Sequence, residues 1–135
     1  MNNSDTLEKE KEKEVGSHAQ LFIYRVPKKN HDSTVRLNNQ IKDTLPKHGP
    51  LRSEFFYLSS TETVMDFVSI AQTVSASQDE EIWVEIQSYK DCKHRDDVMA
   101  NMEKDKNCES LYQQYLDLIT PGSRTIIGEF NRLRV

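Results

Sequence analysis

Residues 81–89 alternate strictly. Ile82, Val84 and Ile86 fall on one side of an extended chain, and Trp83, Glu85, Gln87 and Tyr89 fall on the other. A period of two is the pattern of a strand with one face buried. Asp91 can then cap the free amides of a helix start. Beyond it the period becomes helical, with Cys92, Val98, Met99 and Met102 on one side. The centre of the chain is therefore predicted to be a strand that runs directly into an amphipathic helix.

The flanking segments repeat these two patterns. Residues 19–26 set Leu21, Ile23 and Arg25 against Phe22, Tyr24 and Val26, and Pro27 ends the strand. Asn30 or Asp32 can open a helix in which Thr34, Leu37, Asn38, Ile41 and Leu45 share a face about 100° wide. Pro46 and then Gly49-Pro50 close it. Residues 53–58 read as a second strand. Residues 59–79 match neither period; a structureless loop of that length is unusual in a compact domain, so the stretch reads as an excursion containing a short edge strand. Residues 105–108 interrupt the second helix. Leu111, Tyr115, Leu118 and Ile119 restart its apolar stripe until Pro121-Gly122, and residues 124–133 form a last strand.

The order β-α-β-β-α-β predicts an α+β fold, a ferredoxin-like sandwich. Its four-stranded antiparallel sheet carries two helical segments on one face. The other face is left uncovered and is expected to carry Trp83 with Glu85 and Gln87. An exposed face of this kind meets a partner, so these three residues are the dimer-face candidates and the expected partner is a second copy of the chain.

Composition adds boundaries. Residues 1–18 set Asp5, Glu8, Glu10, Glu12 and Glu14 among Lys9, Lys11 and Lys13 with almost nothing apolar to bury. They read as a disordered charged tail ahead of a single domain over residues 19–135. The net charge of −4 carries no basic stripe, which argues against nucleic acid and against anionic membranes as partners. No apolar run is long enough to span a bilayer or to serve as a signal peptide. The two cysteines, Cys92 and Cys108, form no Cys-x-x-Cys motif and suit a reducing, cytoplasmic setting.

Candidate chemistry is sparse. The four histidines show no metal-ligand spacing, so neither a metal nor a cofactor is expected. No phosphate-binding loop or nucleophile motif is present. Glu81 and Glu85 share a strand face, as paired acid and base carboxylates would and as any solvated strand face would. Residues 21–26 resemble the first-strand motif of RNA-recognition domains, but two acids on the third strand would repel phosphate. Arg95 is the exception. On a wheel of about 100° per residue it falls in the middle of the apolar stripe. An arginine there either pairs with a neighbouring carboxylate or reaches into a pocket to hold an anion. Arg95, His94, Tyr89 and His48 are the pocket candidates, for a small organic molecule, an anionic one included, between sheet and helices. The alternative is a dimeric module without chemistry.

Three stretches carry a family resemblance: Lys47-His48-Gly49, the run Tyr89-Lys90-Asp91-Cys92-Lys93-His94-Arg95-Asp96-Asp97-Val98, and Arg124-Thr125-Ile126-Ile127-Gly128-Glu129-Phe130. Together the chain resembles the YbaA-like family of uncharacterised proteins within the dimeric α+β barrel superfamily. The resemblance implies a homodimer whose sheets pack face to face. It implies no particular activity. The chain departs from the family pattern at Ile86, where a Trp is usual, and at Glu129, where a Gly is usual.

Overall fold

The computed structural model describes residues 16–134. Four strands, β1 (His18–Pro27), β2 (Arg52–Tyr57), β3 (Glu80–Tyr89) and β4 (Ile126–Asn131), form one antiparallel sheet in the order β2-β3-β1-β4. Helices α1 (His31–Thr44), α3 (Cys92–Glu103) and α4 (Lys106–Leu118) make the second layer, and α2 (Ile70–Thr73) is a single turn in the excursion. Among the described residues no helix is long and apolar enough to cross a membrane.

The local signals act as the sequence predicts. Asp91 accepts a hydrogen bond from the His94 amide at 2.7 Å and so caps α3. Asp105 caps α4 through the Asn107 amide at 2.7 Å, which is why the helical stretch breaks in two there. Gly49, at a φ of 94°, takes the left-handed conformation that ends the turn after α1. Of the residues assigned to the tail on sequence, His18 instead belongs to the sheet, and Ser17 just ahead of it is tied down by its amide donating to the Lys90 carbonyl at 2.9 Å. His18 opens β1, and a Cβ on Gly16 would stand 1.8 Å from the Tyr89 carbonyl oxygen. The remainder of the expected tail, residues 1–15, lies outside the described residues.

The register decides which side chains share a face, because residues opposite one another in antiparallel strands point the same way. Gln20 pairs with Gln87, Phe22 with Glu85 and Tyr24 with Trp83; across the other two pairs, Phe55 meets Glu85 and Ile127 meets Phe22. This is the face under the helices. Asn38 of α1 donates to the Tyr24 hydroxyl at 3.3 Å, the Tyr115 ring of α4 meets the Tyr24 ring edge-on at 5.1 Å, and Arg95 of α3 reaches Glu129 of β4. Trp83, Glu85 and Gln87 therefore face the helices and not the uncovered side. Trp83, 4% exposed, packs in the core with Tyr24, Val26 and Ile119 and touches the His31 and Tyr57 rings.

The uncovered face carries Leu21, Ile23, Val84, Ile86, Ile126, Phe130 and Phe56. The alternation is as predicted, but its sides are exchanged. The apolar triplet Ile82, Val84 and Ile86 lies away from the helices, and the mixed set lies beneath them. Hydropathy alone assigns the mixed set to solvent; a polar interior reverses that assignment.

The excursion over residues 59–79 contains no strand. Its one helical turn, α2, is capped by Ser69, whose hydroxyl accepts from the Ala71 amide at 3.2 Å. Arg25 anchors it by donating to the Ser75 carbonyl at 3.2 Å while pairing with Glu80 at 3.1 Å. Ile82 is buried where the excursion folds against that end of the uncovered face.

A candidate ligand cavity beneath the helices

Between sheet and helices lies a cavity of about 640 Å³. Its floor is built from alternate residues of β1 and β3: Gln20, Phe22 and Tyr24 beside Glu85, Gln87 and Tyr89. Ile41 and Leu45 from the α1 side, Met99 and Met102 from α3, and Cys108, Leu111, Tyr112 and Tyr115 from α4 form the walls. A cavity of this size with apolar walls and a few convergent polar groups has the make-up of a small-molecule site.

The floor groups are held by one another. Ser53 donates to Gln87 Oε1 at 2.5 Å, and Gln87 Nε2 donates to Glu85 Oε1 at 2.5 Å. The Tyr89 hydroxyl donates to Gln20 Oε1 at 2.9 Å, and Gln20 Nε2 donates to Glu129 Oε1 at 2.9 Å. These bonds fix both amide orientations, since each glutamine must accept with oxygen and donate with nitrogen. Glu85 has one partner on Oε1 and none on Oε2 among the described residues. Burial outweighs the Gln87 bond and pushes its carboxyl up to about 7. Burial, followed by the charge of Glu85, pushes the Tyr89 hydroxyl up to about 12 and raises Tyr24 and Tyr115 well above the ordinary tyrosine value. A carboxyl that titrates near neutrality in a sheltered space can accept or deliver a proton, or accept a ligand's hydrogen bond.

Of the four pocket candidates read from sequence, Tyr89 lines this cavity. Arg95, His94 and His48 are not among its lining residues. Arg95 donates to Glu129 through Nε at 2.6 Å and through Nη2, and to Asp96 at 2.6 Å. Hydrogen bonds from Arg95 and then from Gln20 hold the Glu129 carboxyl below its usual range. His94 packs edge-on against the Tyr89 ring at 5.9 Å and accepts from the Lys90 amide at 2.9 Å. His48 Nε2 lies 2.7 Å from Asp105 Oδ2. The carboxylate pair Glu81 and Glu85 is divided, for Glu81 is taken by His31 at 2.8 Å. Among the described residues, Arg124 is the one basic residue along the cavity, and it is exposed to solvent.

The cavity residues that sequence reading missed had a signal. Met99 with Met102, and Tyr112 with Tyr115, repeat at three residues, the spacing that puts two side chains on one helix face. The residues that could hold a metal ion had a weaker one. His48, Asp105 and Cys108 form the one such group among the described residues, and the histidine is far from the other two in sequence.

The architecture is an antiparallel α+β fold with a cavity between its layers. Residues 17–117 match the family described as protein of unknown function (DUF1428), and the chain belongs to that family. No curated protein matches it. Two solved structures of protein Atu4242 from Agrobacterium tumefaciens share the fold. One is 13% identical with a TM-score of 0.55, covering 87% of this chain and 94% of that one. The other, described as a nipsnap family protein with unknown function, is 12% identical with a TM-score of 0.56, covering 89% and 91%.

Proposed function

We propose that this protein is a homodimeric, ferredoxin-like α+β barrel that holds a small, largely apolar molecule in the cavity beneath its helices. Glu85 takes a hydrogen-bond donor or positive charge on that molecule. The observation that carries the reading is the Glu85 carboxylate on the cavity floor, with one oxygen unpartnered among residues that otherwise satisfy each other. Glu85 is half-buried and its second oxygen is not sealed from solvent, so a ligand N–H or O–H would take the place of water there. Above its titration near 7, the same carboxylate repels an anionic group on the floor. Arg95, the residue that suggested an anion, is already forked onto Glu129 and Asp96. The preferred ligand class is therefore a phenol, an alcohol or an amine with an apolar body.

Dimerisation through the uncovered sheet face is supported by the apolar side chains it leaves in water. Phe56 is 51% exposed, Phe130 53% and Ile126 46%. A soluble monomer seldom carries a contiguous patch of that kind. Two sheets joined there would leave both cavities on the outside of the barrel, free to be filled.

The test is a thermal-shift screen of small aromatic phenols, aliphatic amines and carboxylic acids on the whole protein, repeated on Glu85→Gln. Phenols or amines should raise the melting temperature of the natural sequence, and the ligands that do so should bind the variant at least tenfold more weakly. Stabilisation by none of the three classes, or by the acids alone, would overturn the reading and leave a dimeric module without chemistry.

A further inference from the structure

His48, Asp105 and Cys108 come together from two separate parts of the chain. His48 ends the turn that follows α1, while Asp105 and Cys108 stand at the start of α4. Their imidazole nitrogen, carboxylate oxygen and thiol sulfur all lie within 4.8 Å of one another, and all three residues are half-buried. The fold builds this convergence in two steps. Asp105 is the cap of α4, so its Oδ1 is occupied by the Asn107 amide at 2.7 Å while Oδ2 turns to His48 at 2.7 Å. Cys108 follows three residues later, the spacing that places it on the same side of the helix start as the cap. An ion pair between histidine and aspartate would need no thiol, yet the thiol is there.

We propose that His48, Asp105 and Cys108 bind a divalent metal ion of the zinc class. Borderline-soft ions of this kind take nitrogen, carboxylate and thiolate donors at about 2.0–2.3 Å, which sets tetrahedral donors roughly 3.3–3.6 Å apart. His48 and Asp105 would separate slightly from hydrogen-bond distance, and Cys108 would close in by a side-chain rotation. Three protein donors leave the fourth position to water. The cap bond on Oδ1 is the outer-shell contact that holds a ligating carboxylate in orientation. Binding replaces the thiol proton by the metal, and that proton leaves to solvent. Cys108 also lines the cavity, so the ion would stand in its wall. The site rests on its own three residues and does not require the cavity to hold a ligand.

The test uses Co²⁺ added to the whole protein after chelation, read by absorption and by native mass spectrometry. One ion per chain is expected, with the near-ultraviolet charge-transfer band of a cobalt thiolate. The band should vanish in Cys108→Ser and persist in Cys92→Ser. The second variant matters because Cys92 Sγ lies 3.4 Å from His18 Nδ1 and is the competing thiol. Asp105→Asn keeps a good cap residue and so should fold normally while binding at least tenfold more weakly, as should His48→Gln. No bound Co²⁺ at micromolar concentration, a band that follows Cys92, or affinity indifferent to Asp105→Asn and His48→Gln would each overturn the site.

Discussion

Glu85 is the residue at which sequence logic and structure diverge most, and its environment has a measurable consequence. At low pH its carboxyl is protonated in both the folded and the unfolded chain and contributes nothing. Between the ordinary value of 4.5 and about 7, the unfolded chain ionises while the folded one keeps its proton. Folding stability therefore falls as pH rises through this window, and above it the folded state carries a cost on the order of 3 kcal/mol. Glu85→Gln retains an oxygen to accept from Gln87 and removes the titration. Urea unfolding should find the variant more stable by about 2–3 kcal/mol near pH 8.5, and by much less near pH 5. A gain independent of pH would mean that the carboxylate is better solvated than its position implies. Arg95 gives the opposite lesson. Its place in the apolar stripe was legible from helical phase, but its partner, Glu129 on β4, was not. Because that pair is partly exposed, at 26% and 37%, Arg95→Leu should cost about 1 kcal/mol or less. The roughly 3–5 kcal/mol of a broken buried pair does not apply. The Glu129 carboxyl should return toward its ordinary range, which a carboxyl NMR titration would detect.

At the level of elements, what could be read was what local chemistry determines. Alternation marked β1 and β3, Pro27 marked the end of β1, Gly49 marked the end of the turn that follows α1, and Asp91 marked the start of α3. Asp91→Ala should therefore destabilise the protein by about 1 kcal/mol, as loss of a helix cap usually does, and should weaken amide-exchange protection in the first turn of α3 before it does so in β3. Equal loss across both would show that strand and helix open as one unit. The excursion could not be read because nothing local fixes it. Its anchors, Arg25 and Glu80, lie on strands outside it, and its positive-φ residues Met65 and Ser75 are not the glycine or asparagine that would announce a left-handed turn. The face of a strand is likewise not a local property. Ile82-Trp83-Val84-Glu85-Ile86 specifies two sides with equal clarity and does not say which one the helices will cover.

For the molecule as a whole, the consequence is an inverted sandwich. The layer interior has a hydrogen-bonded polar floor, while the outer sheet face is the apolar one. An isolated domain gains little from this arrangement, since polar groups are costly to bury and apolar side chains are left in water. Both features become favourable if the cavity receives a molecule that completes Glu85 and the outer face receives a second sheet. A stable dimer of that kind should bury on the order of 1,600 Å². Val84, opposite Ile23 on β1 and Phe56 on β2, stands near the middle of the outer face. Val84→Asp puts a charge where a monomer would still solvate it and a dimer would have to bury it. Light scattering at micromolar concentration should find the natural sequence dimeric and the variant monomeric. The variant should keep its far-ultraviolet circular dichroism and its response to cavity ligands, because Val84 and Glu85 point to opposite sides of the same strand. A monomeric natural sequence would remove the dimer and leave the apolar face unexplained. A dimeric Val84→Asp would place the interface elsewhere. If the variant were monomeric but had also lost ligand response, the cavity and the outer face would be coupled through the sheet, and neither could be assigned its role alone.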